Sequence, residues 1–309
     1  MGEELPLNEQ VEAMRKVETE GPAAGRPHEG KVLAAVQAHA DDIPFFCAGT
    51  VAKLVDEGYT AYLIQTTNDE KCGPTASIGE TILINEQEVD KLAETLGFKQ
   101  VFNLGYRNHR LDEASPLELR ARLVYLFRAL KVDTVLSFNP WEHWEENPDH
   151  SVTGRAVEAA SWMAGMAKDY PEQVACGLKP HGVRDKYYWV MRPHAPYNRV
   201  VDIGPYIETK IDSMAVNTAQ GPAGARGSRL KARLKEQGLK LPQLGDDDRT
   251  ADREFIRLFL LRDYAEIGRQ YGMDHAEWFY YMPPGGTFVG SLFGGDIEQY
   301  IKENAVPLD

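Results

Sequence analysis

Short apolar segments alternate with amphipathic segments through the middle of this sequence. Five segments are dominated by apolar residues and predict strands: 32–38, 61–66, 101–104, 134–138 and 187–191. Between them, apolar residues recur at helical spacing and predict helices over 48–56, 84–96, 115–130 and 152–167. This alternation favours an α/β, Rossmann-like fold with a mostly parallel sheet and helices on both faces. Functional loops of such a fold lie at the carboxyl edge of the strands.

The start of the alternating region separates a short N-terminal arm from one domain. Residues 1–29 are polar and are interpreted as an N-terminal arm, and residues 30–309 as a single domain. Residues 221–249 interrupt the alternation and carry six basic residues and one acidic residue between Arg226 and Lys240. We interpret this segment as a solvated surface insertion. Binding of an anionic substrate or a neighbouring subunit is the weaker alternative. A single helix is predicted to follow over 250–269.

Composition narrows the classes of partner. The 309 residues carry a formal net charge of -13, which argues against nucleic acid or an anionic membrane as the main partner. The three cysteines, Cys47, Cys72 and Cys176, form no paired motif, which favours a reducing cytoplasm. Neither a signal peptide nor an apolar run long enough to cross a bilayer is evident, so no membrane insertion is expected. Homo-oligomerisation is left open.

Three ionisable side chains follow the first predicted strand directly, in the run His39-Ala40-Asp41-Asp42. Charged groups at a buried strand end need partners, and a metal ion is a common one. If His39 and Asp42 hold a metal, Asp41 is left beside it as an acid or base. The alternative is an ordinary strand-end loop in which these side chains bind backbone amides.

A second polar run, Asn147-Pro148-Asp149-His150, follows the fourth predicted strand and precedes a helix. Because this is again a carboxyl-edge loop, His150 could reach the same site as His39. Two histidines, one carboxylate and an open position are typical of a catalytic metal site. The alternatives are an ordinary histidine near a helix N-terminus and a capping role for Asp149. Of the other histidines, His143 alone lies nearby in the sequence.

These two runs, with Gly49-Thr50 after the first, resemble the PIG-L/LmbE superfamily of zinc-dependent N-deacetylases. The resemblance extends over residues 31–220 and returns at Ala276-Glu277-Trp278-Phe279. It implies that the metal ligands are His39, Asp42 and His150. It further implies that Asp41 is the general base and that Asp149 is the acid behind the histidine of the second motif.

Several positions depart from the pattern of that superfamily. Asn147 stands where a histidine usually acts on the transition state, and an asparagine can donate a hydrogen bond there but cannot deliver a proton. Asn85 stands where a sugar-contacting arginine is common, and Asn108, after Arg107, where an aspartate is common. The resemblance therefore predicts Asn85, Arg107 and Asn108 as substrate-binding residues and Asn147 as a catalytic helper. Asn217 replaces a late histidine.

The resemblance implies a metal-dependent hydrolase that removes an N-acyl group, with acetyl expected, from an amino sugar or its conjugate. The expected cofactor is Zn²⁺, with Fe²⁺ or another divalent metal as alternatives, and the expected partner is a small N-acetylated sugar. Two other functions stay open: an amidase of larger N-acyl conjugates, and a non-catalytic, metal-containing sugar-binding protein. A nucleotide-binding Rossmann protein is disfavoured because the first strand leads to no Gly-x-Gly-x-x-Gly sequence.

Overall fold

The computed structural model describes residues 16–143, 145–192, 195–283 and 297–307. Its eight strands are Glu18–Glu20 (β1), Val32–Gln37 (β2), Thr60–Thr67 (β3), Gln100–Tyr106 (β4), Thr134–Phe138 (β5), Asp185–Trp189 (β6), Arg199–Asp202 (β7) and Ala276–Met282 (β8). They form one sheet in the order β1-β7-β8-β6-β5-β2-β3-β4. Only β8 is antiparallel to its neighbours among these strands, so the predicted mostly parallel sheet is confirmed.

The strand order reverses between β2 and β5. From β2 the chain continues outward through β3 and β4, then returns to place β5 on the other side of β2. In open parallel sheets, a crevice for ligands opens where neighbouring connections leave the carboxyl edge in opposite directions. The loops that follow β2 and β5 both lie at this crevice.

Eleven α-helices are found in the described residues. They are Asp42–Phe46 (α1), Ala48–Asp56 (α2), Ile78–Leu96 (α3), Pro116–Leu130 (α4), Pro148–Met163 (α5), Pro171–Ala175 (α6), Ile207–Val216 (α7), Arg226–Glu236 (α8), Asp248–Phe255 (α9), Arg262–Gln270 (α10) and Ile297–Asn304 (α11). A π-helical turn, Ile256–Leu260, separates α9 from α10 and interrupts the single helix predicted over 250–269. No helix within these ranges has the length and apolarity that a bilayer crossing requires.

Helices cover both faces of the sheet, as predicted. Successive side chains of a strand point to opposite faces, and in β2 they enter two different apolar cores. Leu33 and Ala35 pack with residues of α2, α3 and α7, whereas Ala34 and Val36 pack with residues of α4 and α5. The central strands are therefore buried on both sides, which explains why their sequences are continuously apolar and do not alternate with polar residues.

The proposed N-terminal arm and the basic segment both contact the rest of the domain. Glu18–Glu20 lies in the proposed N-terminal arm but pairs with β7 as the edge strand β1. Within the basic segment, Ser228 N at the start of α8 donates to Asp252 Oδ1 of α9 over 2.7 Å, which ties this helix to the rest of the domain. The three residues of β1 are all polar, so no hydrophobic pattern predicted this strand. It forms because it pairs with β7.

Candidate metal centre and active site

Asp42 is held in place by the backbone at the end of β2. Its Oδ2 accepts hydrogen bonds from the amides of Ala38, over 2.9 Å, and His39, over 2.7 Å. The other oxygen, Oδ1, lies 3.4 Å from His150 Nε2. The carboxylate is thus fixed by its own loop while one oxygen faces the loop that follows β5.

Three potential ligand atoms converge where these two loops meet. His39 Nδ1 lies 3.0 Å from His150 Nε2 and 3.8 Å from Asp42 Oδ2. One such atom from each of these three residues lies within 4.8 Å of the others, so the three can share a single ion. Two imidazoles and a carboxylate are a donor set that zinc and similar divalent metals accept.

Each histidine also has a carboxylate behind it. His39 Nε2 lies 3.1 Å from Asp149 Oδ2, and His150 Nδ1 lies 3.2 Å from Glu145 Oε1. Metal-ligating histidines commonly present one ring nitrogen to the ion and the other to a carboxylate, which fixes the ring orientation. The arrangement therefore fits a metal ion, with Asp149 and Glu145 orienting the two rings.

The site carries more negative than positive charge. Burial by itself lowers the pKa of His39, but Asp149, Asp42, Asp69 and Asp41 outweigh it and raise that pKa to about 10. Asp149 is fully buried, which favours its protonated form. The hydrogen bonds from His39 and from the amides of His109 and Leu111 nevertheless hold its pKa below the usual range. The raised pKa of His39 indicates a cluster of carboxylates that favours a cation at its centre, and the lowered pKa of Asp149 shows that its hydrogen bonds favour the charged carboxylate.

Asp41 faces the cavity, whereas its neighbour Asp42 is fixed by the backbone. Burial, and then the charge of Asp42, raise the pKa of Asp41 to about 6. Gly221 lies so close that a Cβ placed there would be 2.9 Å from Asp41 Oδ2, and its φ of +78° favours glycine. The carboxyl group can thus exchange a proton near neutral pH in a position that the segment after α7 closes from one side.

Asn147 has a structural role that the sequence did not reveal. Its Oδ1 accepts the amide of Asp149 over 3.0 Å and so caps α5, the role considered for Asp149. Because the oxygen is bound to the helix, the amide nitrogen is turned toward the site, with Nδ2 3.5 Å from His150 Nε2. The cap therefore fixes which end of this side chain faces the cavity.

The site opens into a cavity of about 380 Å³. His39, Asp41, Asp42, Asn147 and His150 all line it. Its wall also includes residues that sequence reasoning missed: Phe45, Phe46, Cys72, His109, Gln220 and Gly221. His109 has a positive φ of 58° in the connection after β4, a conformation that no local pattern indicates. It forms a second potential ligand group with His39 and Asp149.

The three residues predicted to bind substrate, Asn85, Arg107 and Asn108, have partners within the protein. Asn85 is 2% exposed, and its Nδ2 donates to the carbonyls of Cys72 and Thr81. Asn108 is fully buried, with Nδ2 3.4 Å from Asp149 Oδ2. Arg107 is exposed and pairs with Glu70 over 2.8 Å. None of the three lines the cavity in the described part of the chain, although Asn85 Oδ1 accepts a hydrogen bond from Gln220, which does.

A buried ion pair supports α1 and the start of α2. Lys210 Nζ, on α7, donates to Glu277 Oε1 on β8 over 2.7 Å and to the carbonyls of Pro44 and Phe45. Glu277 in turn accepts the amides of Gly49 and Thr50 at the start of α2, over 3.0 and 2.8 Å. Both side chains are fully buried. Helix α1, which begins at Asp42, and the start of α2 are therefore anchored through this ion pair to β8.

Known proteins are similar to this chain in sequence and in fold. A family model described as PIG-L, GlcNAc-PI de-N-acetylase, matches residues 34–161. The diacetylchitobiose deacetylase of Thermococcus kodakarensis is 30% identical over 198 residues, which cover 62% of this chain and 71% of that protein. A protein named probable N-acetyl-alpha-D-glucosaminyl L-malate deacetylase 2, from Bacillus anthracis, is 29% identical over 127 residues, 40% of this chain and 55% of that protein.

The fold likeness covers nearly the whole chain. The structure of N,N'-diacetylchitobiose deacetylase from Pyrococcus horikoshii superposes with a TM-score of 0.69 at 20% identity, over 97% of this chain and 100% of that one. The motifs at both strand ends, their convergence at one site, and the relative from Thermococcus kodakarensis lead to one conclusion. The chain belongs to the PIG-L/LmbE superfamily, whose members among these relatives are deacetylases.

Proposed function

We propose that this protein is a metal-dependent hydrolase that removes the acetyl group from an N-acetylated amino sugar or a conjugate of one. The observation that carries the proposal is the convergence of His39, Asp42 and His150 beside the free carboxyl group of Asp41. The related deacetylases, which by name act on diacetylchitobiose and on N-acetylglucosaminyl malate, support the class of substrate.

His39, Asp42 and His150 are the residues that we propose to hold the metal, with Zn²⁺ expected and Fe²⁺ or another divalent metal as alternatives. When bound, such an ion polarises the amide carbonyl and lowers the pKa of water beside it. Asp149 keeps the His39 ring oriented by its contact with Nε2. Glu145 lies in the corresponding position behind His150.

Asp41 is proposed to handle the proton. As water attacks the carbonyl carbon, the Asp41 carboxylate takes one of its protons, and negative charge develops on the carbonyl oxygen. Asn147 Nδ2 is the side-chain donor aimed at the site and can stabilise that charge with a hydrogen bond. Asp41 then returns the proton to the nitrogen as the C–N bond breaks, which releases a primary amine and acetic acid, and the acid loses its proton to solvent as acetate.

The decisive test is acetate release from N-acetylated sugars by the zinc-loaded protein and its Asp41→Asn variant. Asparagine keeps the shape of the side chain but cannot accept the proton, so kcat should fall by about a hundredfold or more while zinc content stays the same. Full turnover in the variant would remove Asp41 from the mechanism. No acetate from any N-acetylated sugar with the wild-type protein would count against deacetylation.

Two alternatives remain distinguishable by experiment. An amidase of larger N-acyl conjugates would release a longer carboxylic acid and leave simple N-acetylated sugars intact. A non-catalytic, metal-containing sugar-binding protein is favoured by one feature, the asparagine at position 147 in place of a histidine that can transfer a proton. Such a protein would bind the sugar in calorimetry, with metal present, and form no product.

We also propose that the protein acts in the cytoplasm on a small diffusible substrate. Its three cysteines are all free, which is expected in a reducing compartment. Residues 30–309 are proposed to form one domain, with residues 1–29 as an arm of which β1 joins the sheet. Fractionation of cells that produce the protein tests the location.

A further inference from the structure

The connection after β4 brings one further polar side chain, His109, to the wall of the metal cavity. Its φ of 58° lies in the left-handed region, which residues other than glycine adopt rarely and which often marks a functional position. The amide of His109 donates to Asp149 Oδ2 over 2.6 Å. The same carboxylate that orients the ring of His39 therefore also fixes the backbone from which the His109 side chain enters the cavity.

The imidazole of His109 lies close to the proposed metal centre. Its ring centroid is 6.0 Å from that of His39, and the two ring planes are inclined at 74°. Both rings line the same cavity, so no barrier separates them. A sugar ring attached to an amide at the metal can therefore reach this imidazole.

His109 is better suited to bind a substrate than to bind a second metal ion. It forms a potential ligand group with His39 and Asp149, whose ligand atoms lie within 4.8 Å of one another. Asp149, however, already accepts four hydrogen bonds within the protein. They come from the ring of His39, the side chain of Asn108 and the amides of His109 and Leu111. An ion at Asp149 would have to displace several of these donors.

The ring of His109 is also available for a hydrogen bond. The other polar side chains of the described cavity wall are either part of the proposed chemistry or bound within the protein. Cys72 and Gln220 each donate a hydrogen bond to a buried asparagine. The ring nitrogens of His109, by contrast, have no hydrogen-bond partner among the residues that the structure describes.

A hydroxyl group is the chemical partner that this imidazole fits. Desolvation lowers the pKa of His109, although the charge of Asp149 acts in the opposite direction, so the ring is neutral at pH 7. A neutral imidazole has one donor and one acceptor nitrogen, and a hydroxyl group can pair with either of them. In an N-acetylated amino sugar, the hydroxyl on C3 stands next to the carbon that bears the acetamido group.

We propose that His109 binds the C3 hydroxyl of the amino sugar and so distinguishes N-acetylated sugars from other N-acetylated amines. The proposal rests on the proposed deacetylation and names a residue that recognises its substrate. Asn108, the residue before it, is fully buried and does not line the cavity in the described part of the chain. The contact with the sugar is therefore assigned to position 109.

The test compares the methyl glycoside of N-acetylglucosamine with its 3-deoxy analogue as substrates of the zinc-loaded protein. We expect the wild type to have a kcat/KM about tenfold lower for the 3-deoxy analogue, because His109 then lacks its hydrogen-bond partner. His109→Ala should lower kcat/KM for the complete sugar by a similar factor, chiefly through KM, and bring the ratio of the two substrates close to one. Its zinc content should stay as in the wild type.

Two further variants and one further substrate serve as controls. His109→Gln has a donor and an acceptor on its side-chain amide and should restore part of the discrimination. Arg110→Ala changes the next residue, whose side chain is exposed, pairs with Glu113 over 2.6 Å and does not line the cavity among the described residues. Its ratio should equal that of the wild type. For the 6-deoxy analogue, His109→Ala should leave the ratio to the complete sugar unchanged.

Three outcomes would overturn the proposal and leave deacetylation standing. They are a loss of zinc in His109→Ala, an equal loss of turnover for the complete and 3-deoxy sugars in that variant, and unchanged discrimination. If the wild type releases no acetate, calorimetry with the same sugars replaces turnover. Tighter binding of the complete sugar that His109→Ala abolishes would then support the contact and contradict deacetylation. Absent or equal binding of the two sugars would contradict both.

Discussion

Asp41 and Asp42 are neighbours in the sequence, but the amides of Ala38 and His39 bind the carboxylate of Asp42. Two amides fix Asp42 with one oxygen toward His150, while Asp41 faces the cavity beside Gly221. This division follows from the bend at the end of β2, where α1 begins at Asp42. The resemblance implied that Asp42 is a ligand and Asp41 the base, and this difference in hydrogen bonding supports that prediction.

At this scale we predict that His150→Ala loses the bound metal. The variant removes one of two imidazoles from the proposed ligand set, so zinc content should fall from about one ion per chain toward zero. Elemental analysis after dialysis measures this. His143→Ala is the control, because His143 is exposed and does not line the cavity within the described residues. Unchanged zinc content in His150→Ala would contradict the ligand set.

The convergence of His39, Asp42 and His150 could be predicted from the sequence, because each of them belongs to a short motif at a strand end. His109 could not, since its side chain reaches the cavity through a connection with positive φ. The resemblance predicted Asn85 and Asn108 to bind substrate. In the structure both are buried and bind backbone carbonyls or a carboxylate, because a buried amide must find partners within the protein, and their role in substrate binding stays a prediction.

At the scale of elements, the pair Lys210–Glu277 joins α7, β8 and the start of α2. Both charges are fully buried, and each has several hydrogen bonds. Compared with an apolar contact of similar size, such a pair adds little to the free energy of unfolding. The loss of one partner, however, lowers that free energy strongly, because the other charge stays buried without a counter-charge. The anchoring of α1 and of the start of α2 therefore depends on both Lys210 and Glu277.

We predict that Glu277→Gln lowers the free energy of unfolding by about 3 kcal/mol, because Lys210 loses its buried counter-charge. Urea denaturation of the metal-free protein measures this. Glu118→Gln, in the exposed pair Glu118–Arg122, is the control and should cost less than about 1 kcal/mol. The double variant Lys210→Met with Glu277→Gln should cost less than the sum of the two single changes. Additive losses would show that the two charges are not coupled.

Elements with strong local patterns were predicted well. Helix 48–56 and strand 134–138 have the predicted bounds, because their apolar residues alone determine them. Helix α3 begins earlier than its apolar stripe, at Ile78, since Ser77 caps it by accepting the amide of Glu80. Strand β1 and the π-helical turn were missed, because sheet pairing and tertiary packing produce them without a distinct periodicity.

At the scale of the whole molecule, the site assembles from both sides of the point where the strand order reverses. His39 and Asp42 follow β2, and His150 follows β5, the strand next to it. The parallel sheet predicted from the alternating segments was confirmed. Strand β8 was not among the five predicted strands, so neither its presence nor its antiparallel direction was predicted.

A metal that joins both loops should also stabilise the folded protein. We predict that zinc in thousandfold excess over its dissociation constant adds about 4 kcal/mol to the free energy of unfolding, because it binds the native state. Thermal denaturation with zinc and with a chelator measures this as a shift in Tm. His150→Ala should show no such shift. An identical Tm with zinc and with chelator in the wild type would contradict a site shared by the two loops.

The link from Glu277 to Gly49 spans 228 positions of the chain and has a consequence for biosynthesis. A nascent chain that has emerged only as far as α10 already contains every proposed metal ligand and the proposed base. It still lacks the carboxylate that binds the amides of Gly49 and Thr50. The start of α2 therefore reaches its final anchorage only after β8 has left the ribosome, so we expect the proposed metal centre beside it to be completed late in folding.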